Sequence, residues 1–115
     1  MRPNLLWKDT VFSVAVNPVA ILLRKTNAEI LKSEAAREMV RLCFYEALAV
    51  LQPAIAGSEK LQQLENEFWS FLKQSKARKP TKPNALLSRV LKEAKRQNIK
   101  IPVLETTSVL VKAYE

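Results

Sequence analysis

The sequence holds no histidine, one cysteine and one glycine in 115 residues. Without histidine, the commonest general base and the commonest metal ligand are both missing. Cys43 has no second thiol in the chain to pair with, so neither a disulfide nor a zinc knuckle can be built internally. It lies within an apolar run and reads as a core residue rather than a nucleophile. The composition suits a reducing compartment, and a cytoplasmic location is expected. Sheet proteins spend glycine on hairpins and bulges, so a chain whose only glycine is Gly57 favours helices joined by short loops. No stretch approaches the roughly 20 apolar residues of a membrane span, so no membrane association is expected. The N-terminus has one early Arg2 and a broken apolar run without a cleavage pattern, so no signal peptide is expected either. A glycine-rich phosphate loop and a metal-ligand cluster are both absent. Glu65 and Glu67 face different sides of a helix, and Glu34 and Glu38 lie beside arginines. These absences point to a non-catalytic protein with no cofactor and no metal.

What the chain does have is apolar residues, 48% of the total, enough for one modest core. The expected fold is all-α, a single-domain helical bundle of about five to six helices around a central buried helix at 33–52. Residues 1–16 read as a helix starting near Pro3, although Val11, Ser13, Val14 and Val16 would also suit a strand. Asn17 and Pro18 read as a cap and first helical position, opening a separate short helix to about Lys25. Thr26-Asn27 offers a second break. From Ser33 to Gln52 the residues are apolar over most of the helix circumference, with a polar stripe of Glu34, Arg37, Glu38, Arg41 and Tyr45. Pro53 stops that helix. Ser58 caps the next, which carries Glu59 in its first turn and a stripe of Leu61, Leu64, Phe68, Phe71 and Leu72. Glu65, Asn66 and Ser70 lie opposite the stripe, and Trp69 at its edge. A further helix opens near Pro83 with Leu86, Leu87, Val90, Leu91 and Ala94 on one face. Asn98 is its left-handed cap. The tail from Val103 is read as helix because only residues 11–16 could pair with it as a strand. Neither an internal repeat nor a second domain is visible.

The charge is unevenly spread. Between Lys73 and Lys100 stand Lys73, Lys76, Arg78, Lys79, Lys82, Arg89, Lys92, Lys95, Arg96 and Lys100 against Glu93 alone, a net of +9. The rest of the chain nets −1. Residues 75–84, SKARKPTKPN, form a basic loop expected to be exposed and mobile when free. On the following helix Arg89, Lys92 and Arg96 fall opposite the apolar face, with Lys95 beside them. Clustered cations repel one another, and a polyanion is the usual partner. These ten residues are therefore the candidate nucleic-acid-binding set. The stretch has no aromatic residue, so contact with the phosphate backbone is expected rather than base stacking. A solvated helix face and a membrane surface are the competing readings. Arg37 and Arg41 read as partners of Glu34 and Glu38. Trp7 and Trp69 read as packed at the core margin.

In size, glycine scarcity, the buried helix 33–52 and the basic KQSKARKPTKPN followed by LLSRVLKEAKRQ, the chain resembles the small subunit of type I CRISPR interference (Cascade) complexes. That resemblance implies a non-catalytic, antiviral-defence role in a crRNA-guided ribonucleoprotein complex. Partners would be the DNA backbone of the target or displaced strand, the other subunits and further copies of itself. Such contacts would stabilise an R-loop, a near-balanced strand exchange. Two other readings stay open: a free-standing helical DNA- or RNA-binding protein, and a basic helical adaptor for an acidic protein.

Overall fold

Residues Pro3–Leu23 form one helix, α1, which runs straight through the expected break at Asn17-Pro18. A proline in a helix interior forfeits the hydrogen bond to the carbonyl four residues back, here Val14, at a cost of about 3 kcal/mol. Val11, Val14, Ala15, Val16, Val19 and Ala20 are all buried along this helix. Burying a valine side chain returns roughly 1.5–3 kcal/mol, so packing outweighs the local penalty. The turn closing α1 places Arg24 at φ 54°, with Lys25 N–H donating to Ala20 at 3.1 Å. This left-handed closure is usually left to glycine.

The computed structural model describes residues 3–74 and 83–114. After α1 come α2 (Asn27–Lys32), α3 (Glu34–Leu51), α4 (Pro53–Ala56), α5 (Lys60–Gln74), α6 (Pro83–Gln97) and α7 (Pro102–Tyr114). No strand occurs among the described residues. The all-α bundle is as expected, and the tail is α7.

Local signals explain most of the boundaries. Thr26 caps α2 in a capping box. Its hydroxyl accepts from Glu29 N–H at 3.2 Å, and the Glu29 carboxylate accepts from Thr26 N–H at 2.8 Å. Ser33 Oγ accepts from Ala36 N–H at 3.2 Å and starts α3. Ser58 Oγ accepts from Lys60 N–H at 3.1 Å. Glu59 therefore precedes α5 instead of occupying its first turn. Asn98, at φ 59°, ends α6.

α3 lies against α1, α2, α4, α6 and α7, which makes it central as expected. α5 rests on α2 and α4, whereas α6 and α7 rest on α1, α3 and each other. Side chains join these two sides. Phe44 of α3 stacks on Phe68 of α5 at 4.7 Å, and Phe12 of α1 reaches Phe68 at 5.3 Å and Phe71 at 5.2 Å. Each aromatic pair adds about 0.5–1.5 kcal/mol beyond its burial. The Cα radius of gyration, 13.3 Å, matches a fully folded chain of this length.

Two polar residues correct the sequence reading of the core. Glu65, expected on the outer face of α5, is only 8% exposed. Tyr45 Oη–H and Trp69 Nε1–H both donate to it, at 2.5 and 3.1 Å, and Arg41 lies 3.5 Å away. The burial of a carboxylate is tolerated because three donors surround it. Glu46 on α3 had no assigned part. Its carboxylate accepts from Val103 N–H at 3.0 Å and Leu104 N–H at 2.7 Å, which caps α7 from a different helix.

Candidate functional site

Among the described residues α1 is surrounded by α2, α3, α6 and α7, and its composition is apolar nearly all round. A helix of that kind has no physical use for polar side chains in its middle. Yet Asp9, Ser13 and Asn17 interrupt it at intervals of four residues. At 100° per residue each lies 40° from the last, so the three form one line along the helix. Asp9 is exposed, and Ser13 and Asn17 are half-buried. Their side chains make no hydrogen bond or ion pair with any described residue. Exposed Asp9 and half-buried Ser13 and Asn17 thus form a polar row that is open to a partner from outside the bundle. Pro18 follows this line and frees the Val14 carbonyl from its helical donor. The expected cap at Asn17 hides the row in the sequence, because it assigns Ser13 and Asn17 to two different helices. The signal was present as a four-residue polar period within an otherwise apolar segment.

The donors and acceptors on this line have distinct capacities. Ser13 offers a hydroxyl that donates and accepts. Asn17 offers an amide with two donors and a carbonyl. Ionised Asp9 accepts only. Such a set fits a small, highly oxygenated molecule. No cluster of His, Cys, Asp or Glu among the described residues could hold a metal ion.

The basic residues of 73–100 fall partly within and partly outside the described residues. Lys76, Arg78, Lys79 and Lys82 lie outside the described residues, as does most of the loop 75–84. Arg89, Lys92, Lys95 and Arg96 are exposed on α6, and Lys100 is exposed in the link to α7. Lys73 is exposed in the last turn of α5. Arg96 is also neutralised, because its guanidinium pairs with Glu93. Hydrogen bonds from Arg96 and then Gln97 hold the Glu93 carboxyl down at about 2, and the same pairing raises Arg96. Arg41 pairs with Glu38 at 3.6 Å as well as with Glu65. Cys43 is buried, and its thiol is pushed up to about 12. Burial is the main cause and the nearby Glu46 charge adds to it, against a hydrogen bond with Thr107. It is no nucleophile.

A family model described as ketopantoate reductase PanE/ApbA C terminal matches residues 4–115. The crystal structure of a probable 2-dehydropantoate 2-reductase, panE, from Bacillus subtilis superposes with a TM-score of 0.84 at 24% identity. The match covers 98% of this chain and 41% of that one, so the present chain spans less than half the length of its structural relative. No curated protein matches. These matches overturn the expected Cascade small subunit, with its R-loop role and its partners in DNA, crRNA-guided subunits and copies of itself. The free-standing nucleic-acid binder and the acidic-protein adaptor find no support either. The expectation of a non-catalytic protein is corrected in the same way, because the matched family is one of reductases. Small size, helicity and a basic segment are shared by many helical folds, and that is how the resemblance misled.

Proposed function

Because the chain belongs to the ketopantoate reductase C-terminal family, we propose that it serves as the helical, substrate-side part of an oxidoreductase acting on a small 2-oxo acid. The observation that carries this reading beyond the family match is the unpartnered Asp9–Ser13–Asn17 line on α1. A 2-oxo acid presents a ketone and a carboxylate, both of which accept hydrogen bonds. Ser13 Oγ–H and the Asn17 amide are suited to hold those oxygens and to orient the ketone. Asp9, as an acceptor, suits a hydroxyl of the substrate. The exposed Arg89, Lys92 and Lys95 supply a positive field that draws an anionic acid toward the molecule.

Reduction of a ketone needs an electron donor. A dinucleotide donor is cradled by a glycine-rich turn between a strand and a helix. This chain has one glycine and no strand among its described residues. The described residues do not fit such a donor. No helix among the described residues is long and apolar enough to cross a membrane. The single buried cysteine agrees with a cytoplasmic setting.

The test is a titration of the chain with 2-dehydropantoate, followed by amide NMR. Shifts are expected to centre on residues 9–17, and Asn17→Ala should weaken binding about tenfold, as loss of a hydrogen bond to a charged acceptor does. Shifts that avoid α1, or an Asn17→Ala variant that binds as well as the parent, overturn the reading.

A further inference from the structure

A recess lies on another side of α1, where the start of α1 meets α4 and α5. Trp7 lies about 200° round the helix from Asp9, so this recess is separate from the polar line and does not depend on the function proposed above. It has a volume of ≈ 320 Å³, and its lining is Trp7, Ile55, Lys60, Gln63 and Leu64 together with the Lys8–Glu67 pair. That is the lower end of the range for small-molecule sites.

Its chemistry is one-sided. Lys8 Nζ and Glu67 Oε1 pair at 3.0 Å and cancel each other's charge. The Lys60 ammonium makes no ion pair with a described residue and is left uncompensated. The indole N–H of half-buried Trp7 likewise has no partner among the described residues. Buried or half-buried indoles usually find an acceptor. The exposed Lys60 cation and the Trp7 indole thus line the same recess as apolar Ile55 and Leu64. The single carboxylate there is already engaged. A cation without a carboxylate partner suits an anion, and the apolar wall suits a hydrocarbon body beside it.

We infer that this recess is a binding site for a small carboxylate with a branched or aromatic apolar body. The carboxylate takes the Lys60 ammonium and the Trp7 N–H, while its hydrocarbon part covers Ile55 and Leu64. The Lys8–Glu67 pair closes one side and needs no rearrangement.

The experiment titrates the full 115-residue chain with isovalerate and, separately, with isovaleramide, its uncharged isostere. Saturable NMR shifts are expected at the Trp7 indole, Ile55 and Gln63, with a dissociation constant in the low-millimolar range. Isovaleramide, and isovalerate with Lys60→Gln, should each bind about tenfold more weakly. Lys112→Gln on α7, an exposed cation away from the recess, should change nothing. Equal affinity for acid and amide, wild-type affinity in Lys60→Gln, or no saturable shift in the recess each overturns the assignment. Since the probed signals lie on α4, α5 and Trp7, failure here is distinguishable from failure at residues 9–17.

Discussion

Glu46→Ala is the sharpest test of how this bundle is held together. Glu46 leaves α3 and accepts from the backbone N–H groups of Val103 and Leu104 at 3.0 and 2.7 Å. α7 begins at Pro102 and has an acidic residue of its own only at Glu105, so these two amides depend on a carboxylate 57 and 58 residues away in sequence. A hydrogen bond to a charged group contributes about 1.5–3 kcal/mol, and Glu46 is half-buried, which favours the lower end. Two such bonds give about 3 kcal/mol, including the favourable placing of negative charge at a helix N-terminus. For a domain of this size that corresponds to a fall of about 10–15 °C in Tm. Glu46→Gln keeps an acceptor but loses the charge, and should fall about half as far. Thermal and urea unfolding followed by circular dichroism measure both, and hydrogen exchange at Val103 and Leu104 localises the effect. If Glu46→Ala costs less than about 0.5 kcal/mol, the range of an ordinary surface substitution, or if those amides stay protected, the inter-helix cap carries none of the stability assigned to it.

Other outcomes follow from the titratable groups. The hydrogen bond that Tyr45 donates to Glu65 raises the Tyr45 pKa above its ordinary 10.0. A raised folded pKa contributes stability below the unfolded value, and that stability is lost as pH rises through the folded one. Unfolding free energy should therefore drop above about pH 10, and Tyr45→Phe should flatten that part of the profile in alkaline melts. Cys43 should resist alkylation at pH 8 in the native state and react fast once unfolded, because burial holds its thiol up at about 12. Rapid native-state labelling measured by mass spectrometry would show that the site opens more readily than its packing allows.

The sequence made the helices legible wherever the signal was local. Thr26, Ser33, Pro53, Ser58, Pro83 and Asn98 each act within a turn of their own position, and each marks a boundary. Pro18 misled because its local cost was weighed without the burial of six neighbours that offsets it. Glu46 and Glu65 were illegible for a related reason. Their partners lie on other helices, at Val103 and Tyr45, and no spacing rule within one helix reveals them. The polar line of α1 was visible as a period but was cut by the helix break expected at Asn17-Pro18. The charge excess of residues 73–100 was real, yet charge alone specifies neither partner nor chemistry.

The continuity of α1 sets a constraint on how this chain can vary. A helix hemmed in by four others is read by its neighbours as an angular scale, on which one inserted or deleted residue turns everything beyond it by about 100°. Such a change after Lys8 would swing Ser13 and Asn17 toward the hydrocarbon interior and bring valines out in their place. Substitutions along α1 can be absorbed side chain by side chain, but its length between Trp7 and Leu23 is fixed by geometry.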